Sequence, residues 1–294
     1  MAYQKILVPL DGSELAEKAL PYTKTIAKLK NSEVVLFAVS ITTSGGRRDR
    51  LLKTYIDVNA KNLKAKGVKV STAVVYGDVA EEIIEYADKN KMDLIIISTH
   101  GYSGIKRWML GSVTQKVLYG ACTPILLIKS KSPEISNVEF KKILLPVDGS
   151  PFSEATFPYV EELTRNTNAE VILVEISEPP IVPSYGNRPI NPTWEKYRDT
   201  LWVELQQHAS EYLEKVKSDL GKKGMKIKSQ IVKCEVGETA HNIMQLANKE
   251  RVDLVVIATH GRTGISRWVY GSVANRVVEE SVQPILLIRP TAPR

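Results

Sequence analysis

No apolar run in this chain of 294 residues approaches the roughly 18 residues that a membrane-crossing helix requires, which argues against a membrane span. Cysteine is scarce. Cys122 and Cys234 are the only two, and they fall at unrelated places in the two halves, so neither a disulfide framework nor a shared thiol chemistry is expected. Aromatic residues are only 7% of the chain and nowhere interleave with a basic block, which argues against a nucleic-acid surface. The opening Met1-Ala-Tyr-Gln-Lys-Ile runs straight into an apolar burst and lacks the pattern of a signal peptide. Together with the cysteine usage, this gives the expectation of a reducing, cytoplasmic setting. There is no Walker A lysine loop, no Ser-Gly-Gly-rich loop after the first strand, and no His-x-Gly-His sequence. No His or Cys pair has metal-ligand spacing.

Negative charge is short in one half only. The chain carries a net +7, and residues 1–137 hold 20 Lys/Arg against 13 Asp/Glu, while residues 138–294 hold 20 of each. The whole excess therefore sits in the first half, thinly spread apart from Arg47-Arg48-Asp49-Arg50.

What is present is a duplication. Asp93–Ser112, with its Ser-Thr-His-Gly-Tyr-Ser-Gly core, recurs as Asp253–Ser272 with Ala-Thr-His-Gly-Arg-Thr-Gly. Lys5-Ile-Leu-Val-Pro-Leu-Asp-Gly-Ser13 recurs as Lys142-Ile-Leu-Leu-Pro-Val-Asp-Gly-Ser150, at an offset of 137. Pro124–Ile128 recurs as Pro284–Ile288 at an offset of 160, so the second copy carries 23 additional residues. They are expected near 177–201, where prolines recur every few residues and argue against a regular helix or central strand. The expected division is a first domain over 1–130, a linker over 131–139 and a second domain over 140–294.

Within the first copy, short apolar runs alternate with helical spacings. Strands are expected at 5–10, 33–39, 68–75, 94–97 and 124–128, and helices at 14–30, 51–66, 79–90 and from 112. Gly67 is placed to end the second helix. The order predicts an α/β fold of two doubly wound domains, each a five-stranded, mainly parallel sheet flanked by helices.

In such a sheet Asp11 and Asp148 stand at the C-terminal edge, near the switch point. A carboxylate there can accept from a ribose hydroxyl or help hold a divalent cation; equally, it can tighten its own Asp-Gly-Ser turn. Ser13 is expected to be a helix cap. Gly101, Gly104, Gly111 and Ser112 read as an anion cradle, with glycines admitting phosphate oxygens and a new helix supplying its dipole. Ser112-Val-Thr-Gln115 also fits a capping box, so an ordinary helix start remains the alternative. His100 and His260 lack a nucleophile or second ligand and are expected to be structural. Lys106, Arg107 and Arg267 either reach phosphates or face solvent.

These residues resemble the universal stress protein family, as two domains of the UspA type fused head to tail. The resemblance rests on the Lys-Ile-Leu-x-Pro-x-Asp-Gly-Ser opening, the Gly77-Asp78 and Gly237-Glu238 turns, the Thr-His-Gly-x-x-Gly loop with its Gly-Ser, and the closing Pro-Ile-Leu-Leu-Ile strand. It implies a Rossmann-like, adenine nucleotide alpha hydrolase-like fold. The family's nucleotide motif, Gly-x2-Gly-x9-Gly-Ser/Thr, is matched from its second glycine onward by Gly101 to Ser112 and by Gly261 to Ser272. The first glycine is replaced by Ser98 and Ala258. By resemblance, ATP, with AMP and ADP as other candidates and Mg2+ as companion, would lie over the first and fourth strand ends. Pro9, Leu10 and Asp11, with Pro146, Val147 and Asp148, would sit near ribose and phosphate. Val39 and Ile176 would meet adenine through backbone, and Gly101, Gly111, Ser112 and Val113, with Gly261, Gly271, Ser272 and Val273, would hold phosphates and ribose. In single-domain relatives the last strands dimerise. Ile125–Ile128 and Ile285–Ile288 are therefore expected to pair across an internal pseudo-twofold, and a further homodimer of chains is left open. The implied function is ATP binding in stress response or regulation, with at most slow ATP hydrolysis. A nucleotide-free interaction module and a nucleotide-dependent enzyme of a related fold are the alternatives.

Overall fold

The computed structural model describes residues 3–40, 47–99, 110–130, 137–165, 167–181, 192–260 and 270–290. In the first half β1 (Lys5–Pro9), β2 (Glu33–Ser40), β3 (Lys69–Tyr76), β4 (Leu94–Ser98) and β5 (Ile125–Ile128) alternate with helices. These are α1 (Glu14–Glu17), α2 (Ala19–Lys30), α3 (Arg47–Ala65), α4 (Val79–Lys89) and α5 (Ser112–Gly120). The second half repeats the order with β6 (Lys142–Val147), β7 (Glu170–Ser177), β8 (Lys226–Lys233), β9 (Leu254–Ala258) and β10 (Ile285–Ile288). Its helices are α6 (Pro151–Glu154), α7 (Phe157–Thr164), α8 (Pro192–Gly221), α9 (Thr239–Glu250) and α10 (Ser272–Glu280).

One ten-stranded sheet runs β3-β2-β1-β4-β5-β10-β9-β6-β7-β8. All pairings are parallel except the central one, where β5 and β10 are antiparallel with Leu126 opposite Leu286. The expected pairing of the closing strands across a pseudo-twofold is thus present. Leu126 and Leu286 are each 1% exposed, and burying a leucine this completely is worth about 2 kcal/mol. The interior strands are buried on both faces, which is why they read as continuous apolar runs. The outer strands β3 and β8 carry Lys69, Lys226, Lys228 and Lys233, and lysine on an edge discourages further strand pairing.

Two apolar layers flank the sheet. α2, α3, α7 and α8 cover one face, where Ile26, Ile56, Val160 and Leu213 meet Ile6, Leu94, Ile96 and Ile143. α4, α5, α9 and α10 cover the other, where Ile83, Val117, Ile243 and Val277 meet Leu7, Ile95 and Val255. Each layer is continuous across the β5–β10 seam.

Three expectations are corrected. The helix expected over 14–30 is two segments, α1 and α2, separated at Lys18. Pro21 lacks an N–H, and its ring conflicts with the carbonyl four residues earlier, that of Glu17, where α1 ends. Pro158 stands in the same relation to Glu154, the last residue of α6. The proline argument against helix over 177–201 also fails from residue 192 onward, because Pro192 is the first residue of α8, where proline's missing N–H has no partner to lose. α8 is 30 residues long against 19 for α3, so much of the added length extends a helix. Finally, the capping-box alternative at Ser112 does not hold: Gly111 is the N-cap of α5, and among the described residues no side chain caps the helix. Gly67, at φ +81, follows α3 as expected.

Candidate functional site

β1 lies between β2 and β4, and β6 between β7 and β9, so each half has a switch point at the C-terminal ends of these strands. The chain gathers the anticipated residues there. Pro9 closes β1, and Leu10 donates its N–H to the Phe37 carbonyl at 2.8 Å, which carries Asp11 to the sheet edge. Val39 is on β2, and Gly111, Ser112 and Val113 open α5. Pro146, Val147, Asp148, Ile176, Gly271, Ser272 and Val273 hold the matching places in the second half. Gly101, Gly104, His100, Lys106, Arg107, Gly261 and Arg267 lie outside the described residues.

Asp11 Oδ1 accepts from the Ser13 N–H at 3.0 Å and from its hydroxyl at 2.6 Å, and Ser13 Oγ in turn accepts from the Ala16 N–H. Asp148 repeats the turn with Ser150, also at 3.0 and 2.6 Å, and Ser150 Oγ caps Ser153. Gly12 and Gly149 have φ of +89 and +76, a left-handed conformation that disfavours other residues. The turn-holding role is therefore real, and it fixes both carboxyl groups at the strand ends.

The starts of α5 and α10 are built alike. Gly111 and Gly271 donate their N–H groups to the Thr99 and Thr259 carbonyls, each at 2.9 Å. Among the described residues neither helix has a side-chain cap, and Ser112 and Ser272 are exposed. A helix start with uncapped N–H groups and a positive dipole end attracts an anion. Gly271 has φ −60 and ψ 148, backbone that any residue adopts. Among the described residues, a Cβ there would meet the Thr259 carbonyl oxygen at 3.5 Å and His260 Cα at 3.9 Å. Among the described residues nothing requires a glycine at this position, and Gly271 lines a cleft.

That cleft has a volume of about 830 Å³ and brings together all seven described candidate residues of the second half, Pro146 through Val273. It also includes residues that sequence reasoning passed over: Glu175 and Glu178 from the end of β7, Leu205, His208, Ala209 and Tyr212 from α8, and Thr239 from α9. Glu175 is 7% exposed, and Glu178 accepts a hydrogen bond from the Thr239 hydroxyl. The Tyr212 hydroxyl is buried close to the Glu154 carboxylate. Burial, then the carboxylates of Glu154, Asp148 and Glu175, push its pKa up, so it stays a neutral donor. Tyr55 on α3 repeats this beside Glu17 and Asp11.

Shared hydrogen bonds set the register of the two long helices. Ser40 bonds Asp49 where Ser177 accepts from Gln206, and Thr72 bonds Asp57 where Ser229 bonds Glu214, the latter two at 2.9 Å. α8 therefore follows α3 at an offset of 157, which no sequence motif marks.

Ser98 and Ala258, at the motif's first position, are both buried. The Ser98 hydroxyl has no hydrogen-bond partner. His260 places Nδ1 3.0 Å from Thr259 Oγ1, consistent with a structural role, while its Nε2 is buried without a partner beside the cleft. Among the described residues no group of three or more His, Cys, Asp or Glu could hold a metal ion. Cys122 and Cys234 are both free thiols.

The last helices of the two halves are joined through the seam. Tyr270, immediately before Gly271, donates to the Leu118 carbonyl of α5 at 2.8 Å and stacks edge-on against Tyr119. Arg289 donates to the Leu118 and Tyr119 carbonyls, and Lys129 to the Val278 carbonyl of α10. Each cation thus sits at the C-terminal end of the opposite half's last helix, where the helix dipole is negative.

Comparison with known proteins agrees with this geometry. The profile of the universal stress protein family matches residues 2–129 and again 139–289. A universal stress protein of Methanocaldococcus jannaschii is 34% identical over 145 residues, 45% of this chain and 85% of its own. One from Mycolicibacterium smegmatis is 25% identical over 228 residues, 76% of this chain and 70% of its own. Among solved structures, a universal stress protein of Archaeoglobus fulgidus shares the fold with a TM-score of 0.72 at 19% identity, covering 98% of this chain and 99% of that one. A Pseudomonas aeruginosa protein described as functionally unknown scores 0.72 at 21% identity, covering 98% and 93%. No described helix is long and apolar enough to cross a membrane. Two matches in tandem, on two halves of one sheet, make this chain a member of the universal stress protein family.

Proposed function

We propose that the chain is a regulatory nucleotide-binding protein that holds an adenine nucleotide at the C-terminal edge of each half. The observation that carries this is the start of α10: a helix N-terminus with no side-chain cap among the described residues, opening into an 830 Å³ cleft at a glycine whose backbone suits any residue. In this reading the N–H groups of Ser272 and Val273 and the Ser272 hydroxyl meet phosphate, and Ile176 meets the base. Asp148, anchored through Oδ1, lies beside the ribose. The start of α5, with Asp11 and Val39, serves the first half in the same way. A metal, where present, rides on the phosphates. Binding rather than turnover is the main activity in this reading, because Asp11 and Asp148 already spend an oxygen each on holding their own turns. Equilibrium titration of the nucleotide-stripped chain with ATP and with AMP tests this. Saturation by either at micromolar to low millimolar concentration is expected, and no heat or signal from both at millimolar concentration would refute it.

A second reading, an interaction module working through its surface, draws on α8, where Tyr197, Leu201 and Val203 are 68%, 45% and 66% exposed. Charge substitution at Leu201 and Val203 separates the two: it leaves nucleotide binding intact and abolishes any partner contact made there.

A further inference from the structure

α3 turns a stripe of cations to solvent. A helix rotates about 100° per residue, so Arg50, Lys53, Lys61 and Lys64 fall within an arc of about 80° along about 20 Å of its length. All four are exposed, and among the described residues none of them has a carboxylate partner. Asp57 is the only acid of α3 inside that arc, and its carboxylate accepts from Thr72 on β3. α8 has the same register and a different character. At the offset of 157 the four positions are Gln207, Ser210, Ser218 and Gly221, while Asp57 keeps an acidic counterpart in Glu214. Four cations and one acid give the stripe +3 on α3, and one acid alone gives −1 on α8. Three lysines near the end of α8 are held by acids: Lys217 by Glu214, Lys222 by Asp219 and Lys223 by Glu161. Acids of the first half stand away from the stripe. Glu81, Glu85 and Asp88 are exposed on α4, which covers the other face of the sheet, and Glu17 reaches α3 on its inward side, at Tyr55. Beside the cations, Leu51 and Val58 are 64% and 53% exposed, two turns apart on one flank.

We propose that the outward face of α3 docks the chain on an anionic lipid surface. Its charge calls for a polyanion, and its other side chains select among polyanions. Ile56, Ala60 and Leu63 fix the opposite side of α3 to the sheet, so the cations form an outward row and line no groove. Leu51 and Val58 gain by entering the boundary between headgroups and acyl chains, and gain nothing against a phosphate backbone. The one aromatic residue of α3, Tyr55, packs inward, so the stripe offers no ring on which a base could stack. With acids on α4 across the sheet, the first half is a dipole that turns α3 towards a negative surface. Each lysine or arginine near such a surface strengthens partitioning about fivefold. Docking goes beyond nucleotide binding and does not depend on it.

The test is flotation of the intact chain with vesicles of phosphatidylcholine and phosphatidylglycerol, and with vesicles of phosphatidylcholine alone. Binding to the anionic vesicles at low salt is expected, with none to the neutral ones and release as salt nears about 1 M, where the Debye length is about 3 Å. The quadruple variant Arg50→Gln, Lys53→Ser, Lys61→Ser and Lys64→Gln should lower partitioning by about two orders of magnitude or more. A control with the same net charge, Lys196→Gln, Lys215→Gln, Lys222→Gln and Lys249→Gln, should stay within about fivefold of the parent. Leu51→Ser with Val58→Ser keeps every charge and should weaken binding about tenfold, which guards against a folding defect in the quadruple variant. Equal losses in the quadruple variant and its control would trace the binding to net charge and overturn the proposal. Equal binding to neutral vesicles would overturn it too. So would a chain that ignores anionic vesicles and binds a short DNA duplex or polyglutamate through the same four cations, which would assign the stripe to a nucleic acid or an acidic protein.

Discussion

Replacing Gly271 by alanine separates what the fold needs from what a ligand needs. The backbone there, φ −60 and ψ 148, suits any residue. The added methyl would lie 3.5 Å from the Thr259 carbonyl oxygen and 3.9 Å from His260 Cα, both ordinary contacts. Two small effects on stability then oppose one another. Alanine is a poorer N-cap than glycine by about 1 kcal/mol. It also restricts the unfolded chain, worth about 0.4–1 kcal/mol in the other direction. The melting temperature of the ligand-free chain should move by no more than about 2 °C. Binding should respond differently. The methyl stands at the mouth of the α10 N-terminus and holds a phosphate away from the amides of the first turn. Losing one charge-assisted hydrogen bond costs about 1.5–3 kcal/mol, so AMP affinity at the second cleft should fall roughly 10- to 150-fold. Calorimetric titration alongside a thermal melt reads both quantities. A variant that melts like the parent and binds AMP as tightly would refute the reasoning. A fall of many degrees would show instead that the glycine serves packing.

Three further outcomes are expected. Ser98→Ala removes a buried hydroxyl that has no hydrogen-bond partner, so denaturant unfolding should show stability unchanged or raised by about 1 kcal/mol; a clear loss would mean that the hydroxyl has a structural role. Tyr270→Phe deletes the buried bond to the Leu118 carbonyl but leaves the Arg289 bonds to α5. It should cost about 1 kcal/mol and lower the melting temperature by about 2–4 °C, and a melt identical to the parent's would contradict the seam's description. Asp78 caps α4 through the Ala80 and Glu81 N–H groups, and the Glu81 backbone bond and then Lys116 hold its pKa below the ordinary 3.8. Its contribution is therefore full above that ordinary value and is lost as pH falls through the lowered one. Asp78→Ala should flatten the fall in melting temperature below about pH 4, and parallel curves for the two proteins would count against the cap.

Much of this fold was legible because interior strands buried on both faces leave unbroken apolar runs, as at Leu94–Ser98 and Ile125–Ile128. The duplication made the pairing of β5 with β10 foreseeable, since two bare apolar end strands in one chain satisfy each other. The break at Lys18 was encoded in Pro21, but apolar spacing continues through it, and spacing alone cannot register a clash with a backbone carbonyl. α8 was hidden for the opposite reason: proline blocks a helix interior but not its first position. The sheet-edge half of the cleft was readable, because Asp148 and Gly271-Ser272 belong to local strand-to-turn and turn-to-helix motifs. The α8 wall was not. Leu205, His208 and Tyr212 reach the cleft only through a tertiary register, and the offset between halves changes from 137 to 157 without a marker in the sequence. Ser112 misled because a capping-box pattern fits wherever Ser precedes Gln by three, while the actual cap is decided by where the chain turns.

The central claim, that a nucleotide sits on the starts of α5 and α10, is tested most directly by amide hydrogen exchange of the intact chain with and without saturating AMP. Slowed exchange in peptides that open at Ser112 and Ser272 is the predicted result, because ligand oxygens would occupy N–H groups that now lack a side-chain cap. AMP bound at saturation with both helix starts exchanging as in the free chain would contradict it.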